Sequence, residues 1–175
     1  MAEPPRLHEI TLHCEQRVIY FVTLCVEHRH SVLAIDDVFA AIRASIPQLR
    51  NWNVLALVVM PDHVHCVLSP RHRRELSIGD FANAFKRLLR KELVQQNWQW
   101  QRGCFDRLLR SDENLWSKWI YIRDNPVRAG LVSSAEEWPY YVDLVNAPQS
   151  VGDAVSVPHH RKNGKLTASP TGGSS

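Results

Sequence analysis

The chain has 175 residues, 45% of them hydrophobic, and a formal net charge of +3. This length fits one domain with an ordinary core, and this composition excludes wholesale disorder. No apolar run approaches the ~20 residues of a membrane-spanning helix, and the first residues lack the layout of a secretory signal. We therefore expect a soluble cytoplasmic protein that does not associate with membranes.

The first part of the domain is predicted to be a strand followed by a helix. Residues 18–26 (VIYFVTLCV) are β-branched and aromatic, which is typical of a strand. Asp36 or Asp37 is predicted to cap the first helix, and Pro47 is predicted to kink or break it.

A strand pair is predicted next. Residues 53–60 (NVLALVVM) are apolar on both faces, as in a central strand, and residues 63–68 form the next strand. The tight turn at Pro61 and Asp62 favours antiparallel pairing.

Two further helices are predicted after this pair. Ser77 and Asp80 have the spacing of a capping box, and apolar residues then recur at helical spacing. Residues 98–110 are predicted to form an irregular or short extended connection, and Asp112 is predicted to open a third helix that runs to Asp124.

This order of elements predicts an α+β sandwich, in which helices pack on an antiparallel sheet. We expect an N-terminal arm at residues 1–15, a single folded domain at 16–145 and a tail at 146–175. The tail is rich in Pro, Gly, Ser and Thr, with a basic spot at 159–162, and has too little apolar surface to fold alone.

His63 and His65 are the first candidate functional residues. Side chains two apart on a strand point to the same face, so the two imidazoles can bind one metal ion. Two imidazoles do not complete a site, and nitrogen and oxygen ligation with open positions suits Mg²⁺ or Mn²⁺. The alternative is that both are ordinary surface or hydrogen-bonded histidines.

Tyr121 and Asn125 are the second pair of candidates. They lie four residues apart and therefore share one side of the third helix. On a wheel of about 100° per residue, Tyr121 falls opposite the predicted apolar stripe. That stripe consists of Leu115, Trp116, Trp119, Ile120 and Ile122. Because Pro126 disfavours helical geometry at the residue before it, we expect the helix to fray at Asn125.

Basic and aromatic residues are candidates for DNA contact. Lys86 and Arg90 lie one helical turn apart and can follow phosphates, or they can simply solvate a helix face. Trp98 and Trp100 lie in the polar stretch QQNWQWQRG and can stack on unpaired bases, or they can belong to the core. The full set of candidate DNA contacts is Lys86, Arg87, Arg90, Lys91, Trp98, Trp100 and Lys118.

Three segments resemble motifs of a known family. VVMPDHVHCVL, WQWQRGCFDRLLR and YIRDNPVRAGLV, in this order, resemble the REP-associated tyrosine transposases, where REP denotes a repetitive extragenic palindrome. These are IS200-like, single-tyrosine HUH transposases of bacteria, and HUH denotes His, a hydrophobic residue and His. The resemblance runs from about Tyr20 to Tyr140.

The resemblance implies a ferredoxin-like HUH fold and cleavage of single-stranded DNA at or near REP hairpins. His63 and His65 match the HUH metal ligands, and Tyr121 matches the nucleophile that forms a 5′-phosphotyrosine link. Asn125 takes the place of a third metal ligand, which related transposases fill with glutamine. We expect Mg²⁺ or Mn²⁺ as cofactor, hairpin DNA as partner, and a monomer or homodimer.

The chain departs from the family pattern near its site and after Trp138. Asp62 stands where the family often has asparagine, which adds a negative charge. WPYYVD replaces the usual ending.

Three other functions compete with this one. A catalytically silent, hairpin-binding regulator of the same fold stays open as the alternative. A histidine-triad hydrolase is disfavoured because Val67 stands where a third alternating histidine would fall. A structural zinc module is disfavoured because Cys66 points away from the histidines and the chain has no cysteine pair.

Overall fold

A five-stranded antiparallel sheet organises the described part of the chain, which in this computed structural model comprises residues 18–71, 76–93, 96–109 and 112–145, with only the backbone for 112–115. The elements are β1 Ile19–Cys25, α1 Asp36–Ser45, β2 Trp52–Val59, β3 His63–Pro70, α2 Ile78–Glu92, β4 Phe105–Leu109, α3 Asp112–Arg128 and β5 Tyr141–Asp143. The strand order is β4-β1-β3-β2-β5, and every neighbouring pair is antiparallel.

The first six strands and helices follow the β-α-β-β-α-β order of a ferredoxin-like fold. β3 lies between β1 and β2, and β5 extends the sheet at the β2 edge. The predicted α+β class with a ferredoxin-like antiparallel sheet is confirmed.

Helices cover both faces of the sheet. Because strand side chains alternate, Val22 and Cys66 point to one face, where they pack with Phe81 of α2 and with α1. Val67 points to the opposite face, where Trp119 and Ile122 of α3 cover it. The histidines of β3 share the α3 face with Val67, and Cys66 lies on the other face as predicted.

The predicted helix starts have mixed outcomes. The capping box of α2 is confirmed: the Asp80 amide donates to Ser77 Oγ at 3.2 Å, and the Ser77 amide donates to Asp80 Oδ2 at 3.3 Å. The predicted cap of α1 is wrong, because Asp36 and Asp37 lie inside the first turn and neither they nor Ile35 caps it with a side chain. Their carboxylates still favour this end through the helix dipole.

α3 is longer than predicted. It continues to Arg128, so the predicted end at Asp124 and the fraying at Asn125 are wrong. Pro126 is buried, and the carbonyls of Asn125 and Pro126 accept hydrogen bonds at 2.9 Å from the amides of Ala129 and Leu131. These bonds close the last turn despite the proline.

Sequence analysis predicted the edge strand β4 only in part and did not predict the edge strand β5. β4 pairs with β1 inside the segment expected to be irregular or short extended. β5 has three residues and follows Trp138, whose indole Nε1 donates to the Val59 carbonyl at 3.0 Å. The predicted arm at 1–15 and tail at 146–175 lie outside the described residues. Within the described ranges, no helix is long and apolar enough to cross a membrane.

Candidate active site

The two histidines of β3 form a close pair on the sheet face that α3 covers. Their Nε2 atoms lie 3.0 Å apart, and the two rings are nearly perpendicular. His65 is buried, with 7% of its surface exposed, and His63 is half-buried at the start of the strand. The Nε2 atom of one imidazole thus faces the Nε2 atom of the other.

The other ring nitrogen of each histidine, Nδ1, has a hydrogen-bond partner. His63 Nδ1 lies 2.6 Å from Asp62 Oδ1, and His65 Nδ1 lies 2.8 Å from Thr23 Oγ1. Thr23 is the residue opposite His65 in the β1–β3 register. Asp62 is in turn bound by Arg29, whose Nε lies 2.6 Å from Asp62 Oδ2. Sequence reasoning missed Thr23 and Arg29, since neither belongs to a recognisable motif.

Burial disfavours the charged form of both imidazoles. It lowers the pKa of His65 to about 3, and the neighbouring His63, Arg29 and Lys118 act in the same direction while Asp62 opposes them. Burial also lowers the pKa of His63, although its hydrogen bond to Asp62 opposes this. A neutral imidazole has a lone pair for a metal ion, whereas an imidazolium has none.

Tyr121 lies against this pair. Its ring centroid is 5.8 Å from that of His65 and 5.9 Å from that of Phe21, both at steep angles. Trp119 and Ile122 hold the helix, being buried against the sheet. The predicted stripe was rotated slightly, because Ile120 is 40% exposed and Tyr121 lies at the edge of the buried side instead of opposite it.

Two cations flank the Tyr121 ring. Lys118 Nζ lies 5.0 Å and Arg128 Cζ lies 4.9 Å from the ring centroid. These distances allow cation–π attraction, which holds the ring. Arg128 was missed by sequence reasoning. Its spacing of seven residues from Tyr121, two helical turns, is a signal that could have found it.

Asn125 lies one turn beyond Tyr121 on α3. Its side-chain Nδ2 is buried and has no hydrogen-bond partner among the described residues. A buried polar group without a partner carries a free-energy cost, and this N–H donor would be satisfied by an acceptor such as a water or phosphate oxygen, not by a metal ion.

The donor set of the histidine pair suits a divalent ion. Its two Nε2 atoms face one another at 3.0 Å, within hydrogen-bond distance, and imidazole nitrogens are ligands that Mn²⁺ accepts. The described part of the chain contains no cluster of three His, Cys, Asp or Glu side chains suited to a metal. His63 and His65 could hold an ion there, and Asn125 stays the third ligand that the family resemblance predicts.

The basic residues of α2 lie elsewhere. Arg87, Arg90 and Lys91 are exposed, but α2 packs on the sheet face opposite the histidines. Lys86 Nζ donates to the backbone carbonyls of Gln101 and Gly103, so it secures this loop, and burial lowers its pKa. A role for Lys86 in following phosphates is not supported by these contacts.

The two candidate stacking tryptophans are core residues. Trp98 and Trp100 are each 9% exposed and contact one another edge to face at 5.1 Å. Phe85 of α2 packs against Trp100. The prediction that these tryptophans stack on unpaired bases is wrong, because other core residues already cover their rings. The polarity of their neighbours in sequence did not reveal this long-range packing.

Comparisons with known proteins identify the family of the chain. The family described as "Transposase IS200 like" matches residues 14–114, more than half of the chain. A protein of Haemophilus influenzae assigned to the REP-associated tyrosine transposases is 26% identical over 136 residues, 70% of this chain and 77% of that protein. The ISDra2 transposase TnpA of Deinococcus radiodurans is 36% identical over 69 residues, 38% of this chain and 48% of that protein.

A solved structure supports the same fold. The structure of a REP-associated tyrosine transposase bound to a REP hairpin aligns with a TM-score of 0.61 at 24% identity. The alignment covers 70% of this chain and 74% of that chain. Tyr121 and Asn125 lie beyond the stretch that the family profile matches, so their assignment depends on the site geometry.

Proposed function

The chain belongs to the family of IS200-like transposases, and we propose that it cleaves and rejoins single-stranded DNA through a 5′-phosphotyrosine intermediate formed by Tyr121. One observation carries this proposal. The Tyr121 ring of α3 packs against His65, whose Nε2 faces that of His63, and this closeness supports Tyr121 as the nucleophile beside the proposed metal ligands.

We propose REP-type hairpins as the DNA substrate. The Haemophilus influenzae relative is assigned to the REP-associated transposases, and the solved structure with the same fold is bound to a REP hairpin. Exposed cations on both sides of the sheet, Arg87 and Arg90 on α2 and Arg128 on α3, allow a folded DNA to be held at more than one point.

The chemistry begins with the Tyr121 hydroxyl. Its oxygen attacks the scissile phosphorus, so a tyrosine O–P bond forms while the P–O3′ bond breaks. The phenolic proton leaves Tyr121, and a proton is taken up by the departing 3′-oxygen. The new ester conserves the phosphodiester, so the 3′-hydroxyl of a second strand can attack it, release Tyr121 and join the strands without ATP.

The other residues of the site would bind the metal, attract the phosphate backbone and orient the tyrosine ring. His63, His65 and Asn125 would hold Mg²⁺ or Mn²⁺, which when bound supplies Lewis-acid polarisation of the scissile phosphate. Lys118 and Arg128 flank the tyrosine ring and attract the phosphate backbone. Phe21 packs against Tyr121 from β1 and limits the orientations of the ring.

The test is formation of a covalent protein–DNA adduct. Full-length protein is incubated with single-stranded hairpin DNA and Mg²⁺ or Mn²⁺, and the adduct is detected by denaturing gel and mass spectrometry. Tyr121→Phe should abolish it, since phenylalanine has no attacking oxygen, while hairpin binding and melting temperature stay near wild type. Tyr140→Phe is the matched control, because its hydroxyl contacts Asp36 on α1 and should be dispensable.

Two results would contradict the proposal. An adduct formed by Tyr121→Phe would place the nucleophile elsewhere. Hairpin binding by the wild type without any adduct would favour the catalytically silent regulator.

A further inference from the structure

The outer partners of His63 and His65 differ in kind, and this difference decides where the ring hydrogens lie. A carboxylate has no hydrogen to donate, so the 2.6 Å contact between Asp62 Oδ1 and His63 Nδ1 requires the hydrogen on Nδ1. In a neutral ring, His63 Nε2 then carries a lone pair, which is the form that a metal ligand needs.

The Nε2 atom of His65 must carry a hydrogen, in contrast to the Nε2 atom of His63. The two Nε2 atoms are 3.0 Å apart, and His63 supplies the acceptor, so His65 Nε2 carries the hydrogen. His65 Nδ1 is then an acceptor and receives the Thr23 hydroxyl hydrogen at 2.8 Å. One directed chain of hydrogen bonds therefore runs from Thr23 through His65 and His63 to Asp62.

Arg29 fixes the end of this chain. Its Nε lies 2.6 Å from Asp62 Oδ2, and its Nη1 donates to Cys25 Sγ at 2.9 Å. Arg29 and His28 both have left-handed backbone conformations, with φ of 56° and 57°. Two consecutive non-glycine residues in this region are uncommon and persist where surrounding contacts enforce them. The guanidinium contacts are enforcing contacts of this kind.

We propose that Asp62 and Arg29 are positioning residues that hold His63 in the tautomer of a metal ligand, whereas His65 changes tautomer when the site takes up its metal. This inference rests on the metal in the proposed function. The His65 hydrogen moves from Nε2 to Nδ1 through solvent, with no net proton released. The Thr23 hydroxyl can accept from the new Nδ1–H as readily as it donated before, which a carboxylate cannot do.

The first experiment reads the tautomers directly in the metal-free protein. Imidazole ¹⁵N spectra of the full chain in EDTA are assigned with His63→Gln and His65→Gln. We expect the Nδ1–H form for His63 and the Nε2–H form for His65. Added Mg²⁺ should convert His65 to the Nδ1–H form and leave His63 unchanged. The same tautomer for both residues without metal would overturn the proposal.

The second experiment tests the positioning residues without DNA or turnover. Mn²⁺ affinity is measured by electron paramagnetic resonance. Asp62→Ala should weaken it by about 10- to 100-fold and Arg29→Gln by a smaller factor, as for other residues that orient metal-bound histidines. Both should release His63 into a mixture of tautomers. Glu136→Gln is the matched control, because it removes the carboxylate of a different arginine pair, with Arg123, and should change neither quantity.

The third experiment tests the change of tautomer at His65, which we call the switch. Thr23→Val keeps the side-chain shape but removes the hydroxyl, so Mn²⁺ affinity should fall, and Thr23→Ser should restore it. Unchanged tautomers and affinity in Asp62→Ala would overturn the positioning role, and unchanged affinity in Thr23→Val would overturn the switch. A wild type that binds no metal would overturn both the switch and the metal step of the proposed function, while the metal-free spectra would still decide the positioning of His63.

Discussion

At the scale of single residues, the candidate site contains two histidines whose burial in the sheet disfavours their charged form. Burial is the largest cause of the lowered pKa of both His63 and His65, and the neighbouring cations act in the same direction. An unfolded chain has no such environment, so its histidines take up protons near their ordinary pKa. Folding is therefore coupled to pH through these two side chains.

The metal-free protein should lose stability as the pH falls. His65 has a folded-state pKa of about 3, below its unfolded value of 6.5. Between these two pH values, the imidazole is protonated in the unfolded state but not in the folded state. The free energy of unfolding should fall with pH in this window, by at most about 1.4 kcal/mol per pH unit for this group. Above pH ~7 this group should contribute no further change.

Urea unfolding in EDTA at pH 7.5, 5.5 and 4.5 measures this effect. His65→Gln should flatten the acid dependence relative to the wild type. His30→Gln, a change at an exposed histidine, is the control and should leave the dependence as it is. A pH dependence that is identical in all three proteins would refute the coupling.

At the scale of elements, α3 determines whether the site is assembled. The histidines belong to β3 and the tyrosine to α3, and they meet because Trp119 and Ile122 are buried against the sheet. α1 and α2 pack on the opposite face and contribute stability without touching the histidine pair. A loss of packing should therefore affect the chemistry differently on the two faces.

Ile122→Ala and Ile42→Ala form a matched pair for this idea. Both side chains are fully buried, and each truncation should cost about 2–5 kcal/mol of stability. Below both melting temperatures, Ile122→Ala should lower the adduct rate by about tenfold or more, because Tyr121 is no longer held in place. Ile42→Ala in α1 should leave the rate of the folded protein within about twofold of wild type. Equal rates for the two variants would argue against positioning by α3.

The exposed arginines of α2 should affect binding more than chemistry. Replacing Arg87 and Arg90 with glutamine removes two charges from the face opposite the histidines. Hairpin affinity should fall, and the slope of log K against log salt should become shallower by about 1 for each phosphate that the variant no longer binds. The adduct rate at saturating DNA should persist.

Mobility shift across a salt series, with hairpin and blunt duplex side by side, supplies the measurement. Arg43→Gln on α1 is the control for a single exposed arginine outside this group. An unchanged salt slope in the double variant would show that α2 does not contact DNA.

At the scale of the whole molecule, the described elements form a ferredoxin-like sheet with the site on one face and a basic helix on the other. Among the described residues, one core cluster lies under α1 and α2 and the other lies under α3.

A chain that ends at residue 145 should melt within a few degrees of the full-length protein. The tail composition cannot support a core, whereas its basic spot at 159–162 can contact DNA. Calorimetry of both chains measures the first point, and adduct yield measures the second. A large fall in melting temperature would show that the tail is structural.

The sequence by itself determined the local features of this protein. The alternation of His63 and His65 on a strand, the capping box of α2 and the sharing of one helix side by Tyr121 and Asn125 all follow from short-range periodicity. Such periods are set by backbone geometry and need no knowledge of distant residues. Together with the three motifs they were sufficient for the fold class and the family.

Only the tertiary structure decided which distant residues meet. Thr23 and Arg29 reach the histidines through strand pairing and a strained turn, and Arg128 reaches Tyr121 because α3 continues past Pro126. Trp98 and Trp100 lie in a polar stretch of sequence, yet the core buries them. Burial and pairing depend on the free energy of the entire packed sheet, so no local pattern around Thr23, Arg29 or the two tryptophans contains that information.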